Sequence, residues 1–229
     1  MRIGGFQKVS LIDYPGKVAA VVFTQGCNFR CPFCHNVELV LPSCFGDLLE
    51  EEEILRFLTT RVDKLQGIVV TGGEPTIHED LPLFLEKIKA MGYAVKLDTN
   101  GSRPAVLKEL FDRQLLDFVA MDVKAPAHCY DELAGIKVNI GLIKESIALI
   151  QASGVKHLFR TTFPKPLLGE DDLPGIFSLI HGTHHFCLQP FVPQEKILDP
   201  SMLDKAHYQE GEFAALSQKH FGAFHAADC

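Results

Sequence analysis

The stretch TQGCNFRCPFCHN, residues 24–36, holds Cys27, Cys31 and Cys34, three of the seven cysteines in the chain. Thiolates act as nucleophiles, redox partners and soft metal ligands, so this spacing supports several chemistries. Cys31-Pro32-Phe33-Cys34 has the form of a redox-active dithiol, and with His35 it matches a covalent haem-attachment pattern. Both readings leave Cys27 without a role. Structural zinc needs four ligands, commonly two separated pairs, and His35 follows Cys34 too directly to complete a tetrahedron with it. Three thiols spaced C-x3-C-x2-C can also hold three irons of a [4Fe–4S] cluster. The fourth iron then stays open, as a catalytic zinc keeps one position for substrate. The remaining reading is a loop of three plain thiols.

The elements that must position this loop follow from the hydrophobic pattern. Short apolar runs recur at VAAVVFT (18–24), GIVVTGG (67–73), YAVKLDT (93–99), DFVAMDV (117–123), VKHLFRTTF (155–163) and HFCLQPF (185–191). Their near-continuous Val, Ile, Leu and Phe content suits parallel strands covered on both faces. Amphipathic helices are predicted between them. Leu81, Phe84, Leu85 and Ile88 recur at helical spacing with Asp80 as N-cap. Val106, Leu110 and Phe111 repeat the pattern after the start signal Ser102 and Pro104, and Ile143, Ile147 and Ile150 form another stripe. EEEIL at 51–55 opens a helix with acids where the dipole favours them. Six βα units imply an α/β fold with a parallel sheet, either doubly wound or an incomplete barrel.

Polar residues gather where those strands end. The cysteines follow the first strand, and Gly72-Gly73-Glu74-Pro75 follows the second. Asp98-Thr99-Asn100-Gly101, Asp122-Val123-Lys124, Arg160 with Thr161 and Thr162, and Gln189 in LQPF mark the others. The C-terminal ends of parallel strands are the face on which α/β proteins build their sites.

Composition bounds the rest. The 229 residues are 47% hydrophobic and 22% charged, which suits one large folded domain, 1–229. A net charge of −7 gives no general attraction to nucleic acid or anionic membrane. The N-terminal MRIGGFQKVSLIDYPGK has no apolar signal core, and VAAVVF is far shorter than the ~20 residues that span a bilayer. The expected location is the cytoplasm, where clustered cysteines mean metal or redox chemistry more often than disulfides. Cys44, Cys129, Cys187 and Cys229 stand alone and read as buried or incidental thiols.

The cysteine motif with Phe33 before its last cysteine, followed by Gly72-Gly73-Glu74-Pro75, Asp98-Thr99-Asn100-Gly101 and Asp122-Val123-Lys124, resembles the radical S-adenosylmethionine (SAM) superfamily. The run GFQKVSLIDYPGKVAAVVFTQGCNFRCPFCHN is similar to its glycyl-radical-enzyme activases, most of all the activating proteins of anaerobic ribonucleoside-triphosphate reductase. The resemblance implies an incomplete, TIM-like (βα)6 barrel. It implies a [4Fe–4S] cluster on Cys27, Cys31 and Cys34 whose open iron chelates SAM. Reductive cleavage to a 5′-deoxyadenosyl radical and hydrogen abstraction from a glycine of a partner enzyme follow. On the same basis Phe33, Gly72, Gly73, Glu74, Asp98, Thr99, Asn100, Asp122, Lys124 and Arg160 are expected around SAM. Glu74 would serve as a charge partner or brace, and Asp98 would help hold a monovalent cation. Lys124 and Arg160 would face the SAM carboxylate, a match that suits Arg especially. The implied partners are a glycyl radical enzyme and a flavodoxin- or ferredoxin-like electron donor. Gln189 departs from the histidine of pyruvate formate-lyase activase, which favours the reductase-type group; a formate-lyase-type partner or a small-molecule substrate is the alternative. No second ferredoxin-type cysteine cluster is present.

Overall fold

The computed structural model describes residues 1–183 and 185–221. Its strands are β1 (Ile3–Ser10), β2 (Ala19–Thr24), β3 (Gly67–Gly72), β4 (Ala94–Thr99), β5 (Phe118–Asp122), β6 (Lys156–Phe163) and β7 (Phe186–Pro190). The helices are α1 (Val37–Val40), α2 (Glu51–Thr59), α3 (Leu81–Ala90), α4 (Pro104–Asp112), α5 (Tyr130–Ala134), α6 (Ile140–Ala152), α7 (Leu173–Leu179) and α8 (Glu210–Phe221). Among the described residues the strands form one sheet in sequential order, β1 to β7. A doubly wound sheet reverses its strand order at a switch point. Sequential order therefore decides for the incomplete barrel. All six expected strands are present as β2 to β7, mutually parallel.

β1 was not expected. It runs antiparallel to β2, and only its two end residues, Ile3 and Ser10, are buried. Gly4 and Gly5 break its apolar run, and without one the alternation of a half-buried edge strand is hard to read.

Side chains of β2 alternate between two cores, as a pleated strand requires. Ala20 and Val22 join the main core with Leu58, Leu85 and Ile88 from the helices, all fully buried. Ala19 and Val21 face inward with Tyr14 and Val69, and Phe23, Ala94 and Phe118 pack on them. Tyr14 closes the barrel at the end opposite the strand C-termini: a Cβ on Gly67 would stand 2.8 Å from its ring, and Phe118 meets it edge-on at 6.1 Å.

The helical stripes hold with small corrections. Leu81, Phe84, Leu85 and Ile88 are buried, as are Ile143, Ile147 and Ile150. On α4 the buried positions are Leu107 and Leu110, with Val106 and Phe111 at the margins. Asp80 occupies the N-cap of α3 but makes no capping bond, because its carboxylate pairs with the Met1 ammonium. Ser102 does not cap α4 either; its hydroxyl accepts from Asn28 Nδ2 at 2.8 Å. No helix among the described residues is long and apolar enough to cross a membrane.

Candidate active site

The cysteine loop leaves β2 and is clamped from three sides. Arg30 N–H donates to Ala134 O at the end of α5 (2.8 Å). Asp199 N–H donates to Pro32 O (2.9 Å) and Leu198 N–H to Cys34 O (3.0 Å). Gly135, at φ +66°, closes α5 against this loop, where a Cβ would stand 2.0 Å from Arg30 O. His35 turns away from the thiols: its ring stacks on Phe191 at 5.5 Å and its Nε2 lies 3.0 Å from Val192 O. The haem reading, which requires His35 beside the cysteines, loses its ligand.

The second strand end is zipped to the same loop. Gly73 N–H donates to Thr24 O and Glu74 N–H to Gly26 O, each at 2.8 Å. Gly72 sits at φ +110°, and a Cβ on Gly73 would stand 1.9 Å from Gly26 O. Glycine is required here first for backbone packing against residues 24–26. Glu74 is 1% exposed. Its carboxylate accepts from Asn100 N (2.6 Å), Thr99 Oγ1 (2.8 Å), Thr76 N (3.1 Å) and Thr76 Oγ1. Burial pushes this carboxyl above its ordinary value, opposed by those four bonds. Glu74 is thus a brace between the ends of β3 and β4. Among the described residues it makes no charge pair.

Across the ends of β4, β5 and β6 runs a chain of alternating charge. Lys96 and Asp98 lie two apart on β4 and therefore on one face, where the Lys96 ammonium bonds Asp98 Oδ1. Arg160 reaches Asp98 Oδ2 (3.4 Å) and Asp122 Oδ1 (3.0 Å), and Lys124 reaches Asp122 Oδ2 (3.0 Å). Burial works against ionised Asp122, yet Arg160 and Lys124 hold its carboxyl down at about 2. The same carboxylates raise Lys124 and Arg160 above their ordinary values despite burial. Lys96, 4% exposed, was missed from the sequence. Its signal was a lysine at an inward-facing position of a strand otherwise read as buried. Its ammonium lies against Asp98 where a monovalent cation was expected.

All thirteen residues expected around the cofactors line one cavity of about 1260 Å³. Phe33 contributes only an edge, being 5% exposed and packed against Phe191 at 6.3 Å. Apart from Gln189, the opposite wall was not foreseen. It comes from Gln189 to Pro193 and from His207 to Ser217, including the first two turns of α8. Of the lone cysteines, Cys44 is exposed and Cys129 half-buried; Cys187 is buried on β7 and disulfide-bonded, not a lone thiol. Cys229 lies outside the described residues.

The donor set fits an iron–sulfur cluster. Cys27, Cys31 and Cys34 all face the cavity, but their sulfurs are not all within 4.8 Å of one another. One tetrahedral zinc would hold sulfurs about 3.8 Å apart. Burial pushes the Cys27 thiol up to about 12, with Glu74 adding to the effect, and Cys31 up to about 11 against the pull of Lys124. Burial raises Cys34 as well. Such thiols are poor free thiolates, so their ionised form depends on a cationic partner, as metal-coupled deprotonation requires.

Fold and site together define the class: a partial barrel with a three-thiol loop at one mouth. Residues 21–175 match the radical SAM superfamily. Over 200 residues the chain is 34% identical to a Methanocaldococcus jannaschii protein named as a glycyl-radical enzyme activating enzyme, covering 84% of this chain and 81% of that one. A shorter match, 36% over 87 residues, reaches the 7-carboxy-7-deazaguanine synthase of Aquifex aeolicus and covers 38% of each. The crystal structure of Streptococcus suis SuiB bound to precursor peptide SuiA shares the fold alone, with a TM-score of 0.68 at 14% identity. That likeness covers 87% of this chain and 44% of SuiB. The chain belongs to the radical SAM superfamily, in the group of glycyl-radical enzyme activating enzymes, whose cofactors are a [4Fe–4S] cluster and SAM.

Proposed function

We propose that this single-domain protein installs a glycyl radical on anaerobic ribonucleoside-triphosphate reductase. The observation that carries the reading is the two-walled cavity. Its 1260 Å³ exceeds the roughly 300–1,000 Å³ of pockets for one drug-sized ligand, so a segment of a second protein has room beside SAM. When bound, the cluster held by Cys27, Cys31 and Cys34 and the SAM beside it would supply one-electron radical chemistry directed at a glycine Cα of the partner.

The chain's residues bind and orient. Cys27, Cys31 and Cys34 hold the cluster. Gly72 and Gly73 bring backbone to the SAM amino acid, and Arg160 and Lys124 offer their outward N–H groups to its carboxylate. Asp122 orients both cations through the bonds described above. Asp98, Thr99 and Asn100 form the floor toward the ribose, braced from below by Glu74. Phe33 borders the adenine. Gln189 stands on the substrate wall, where a reductase-type enzyme differs from a formate-lyase type. A flavodoxin- or ferredoxin-like protein of the cytoplasm supplies the electron.

Anaerobic incubation of the reconstituted protein with SAM, strong reductant and the reductase tests the proposal. A glycyl radical doublet on the reductase by electron paramagnetic resonance is the expected result. A radical on pyruvate formate-lyase instead would reassign the partner. The 87-residue match favours a second reading, a small purine-like substrate. Cleavage stimulated by such a molecule, with no protein radical, would establish it.

A further inference from the structure

Outside the cavity, the imidazole of His128, the thiol of Cys129 and the carboxylate of Asp172 bring one ligand atom each within 4.8 Å of the others. Among the described residues no other set of three or more His, Cys, Asp or Glu side chains does so. The residues come from two segments: His128 and Cys129 lie in the turn before α5, and Asp172 ends a short 3₁₀ turn, Glu170–Asp172, that leads into α7. The two segments pack directly on one another. Pro126 lies flush on Gly175, where a Cβ would stand 2.5 Å from Pro126 Cβ. Asp172 is held from behind, its Oδ2 accepting from Gly169 N–H at 2.8 Å, while Oδ1 faces His128 Nε2 at 3.3 Å. A carboxylate oriented by an outer hydrogen bond with one oxygen turned to an imidazole is the usual preparation of a metal ligand.

His128 and Cys129 are adjacent, as Cys34 and His35 are, but their geometry differs. At Cys129 the chain turns into α5 with φ −121° and ψ 17°, and the His128 and Cys129 donor atoms meet Asp172. The thiol's other contact is a weak 3.9 Å approach to Pro126 O, and His128 is 71% exposed, so both are available to a cation.

We propose that His128, Cys129 and Asp172 form a second metal site for a zinc-class divalent cation. The mixed nitrogen, sulfur and oxygen set suits zinc, and three protein ligands leave the fourth position to water. The metal staples the turn before α5 to the turn before α7. Its structural consequence reaches the cysteine loop, because α5 ends in Ala134 and Gly135, which grip Arg30. The site does not depend on the identity of the radical partner.

The test uses the full chain with Cys27, Cys31 and Cys34 changed to Ser, so that metal cannot enter the cysteine loop. Anaerobic titration with Co(II) should give one equivalent of tetrahedral cobalt with a thiolate-to-cobalt charge-transfer band. Adding Cys129→Ser should remove that band, and Asp172→Asn should weaken binding by about tenfold or more. A holoprotein arm covers a triple variant that fails to fold. Wild-type protein with its cluster loaded, dialysed against micromolar zinc, should retain one zinc per chain, and a His128→Ala, Cys129→Ser variant should retain none. Octahedral cobalt without charge transfer, zinc retention indifferent to Cys129→Ser, or no retained zinc in the holoprotein would overturn the proposal.

Discussion

The cysteine loop and the ion chain across β4, β5 and β6 face the same cavity, yet they differ in how much of their chemistry the protein completes. Lys96, Asp98, Arg160, Asp122 and Lys124 satisfy one another, and Glu74 beneath them is saturated with donors. That half is pre-organised: the positions of its cations are set before any ligand arrives, so binding loses little to side-chain ordering. The cysteine half has its backbone fixed by hydrogen bonds, but desolvation raises its three thiols above their ordinary values. Under the proposed function, its completion needs iron. One region is therefore a structural part of the fold, and the other is a socket.

The difference can be broken at either end. The largest effect is expected from Cys31→Ala, which should abolish both iron retention and 5′-deoxyadenosine formation while leaving the fold intact by circular dichroism. Full cleavage in that variant would remove the cluster assignment. Glu74→Ala should act oppositely, on stability before chemistry. It strands the Asn100 N–H, Thr99 and Thr76 donors in a dry site, at a cost of about 3 kcal/mol. A shift of the denaturant midpoint with unchanged slope would show it, and an unshifted midpoint would mean Glu74 is no brace.

A subtler contrast concerns Lys96. Because its ammonium sits on Asp98, cleavage by the wild-type protein should be indifferent to exchanging potassium for a large organic cation. Lys96→Met should make SAM cleavage potassium-dependent, by about tenfold, a single-interaction loss of the size seen for supporting contacts at cation sites. Potassium dependence in the wild type would show that Lys96 does not fill the cation position.

The smallest expected effect is on acid stability. Asp122 falls from an ordinary value of 3.8 to about 2 in the folded protein. The unfolded chain then binds the proton more readily, so the stabilisation is present above the unfolded value and is lost as pH falls through the folded one. Unfolding midpoints should drop between about pH 4 and pH 2. Asp122→Asn, with Lys124 left without its carboxylate and Arg160 keeping only Asp98, should be less stable near neutrality but flatter across that acid window. Equal acid slopes for both proteins would contradict the pairing.

The two regions also differ in how they could be read in advance. The cysteines announce themselves because few other functions place three thiols in eight residues, 27 to 34, and local spacing carries the chemistry. The parallel strands were legible for the same local reason, since burial on both faces leaves continuous apolar runs. Lys96 and β1 were not. Lys96 interrupts an apolar run, and its meaning depends on Asp98, its neighbour on the same face of β4, and on Arg160 reaching Asp98 from β6. β1 owes its existence to pairing with β2, not to its own pattern. The wall from His207 to Ser217 is likewise invisible locally, because only the return of the chain past β7 brings α8 to the cavity.

By itself, the sequence determined the six parallel strands, the residues at their C-terminal ends and the three-thiol motif. Those follow from period, burial and side-chain chemistry within short windows. The tertiary structure decided between a doubly wound sheet and a partial barrel, because strand order is a long-range property. It also decided that His35 faces Phe191, that Glu74 braces, and that Lys96 sits where a free cation was expected. The first two depend on groups from distant strands or loops, Phe191 for His35 and Thr99 and Asn100 for Glu74; the third depends on Asp98, two residues away on β4 and held in turn by Arg160 of β6.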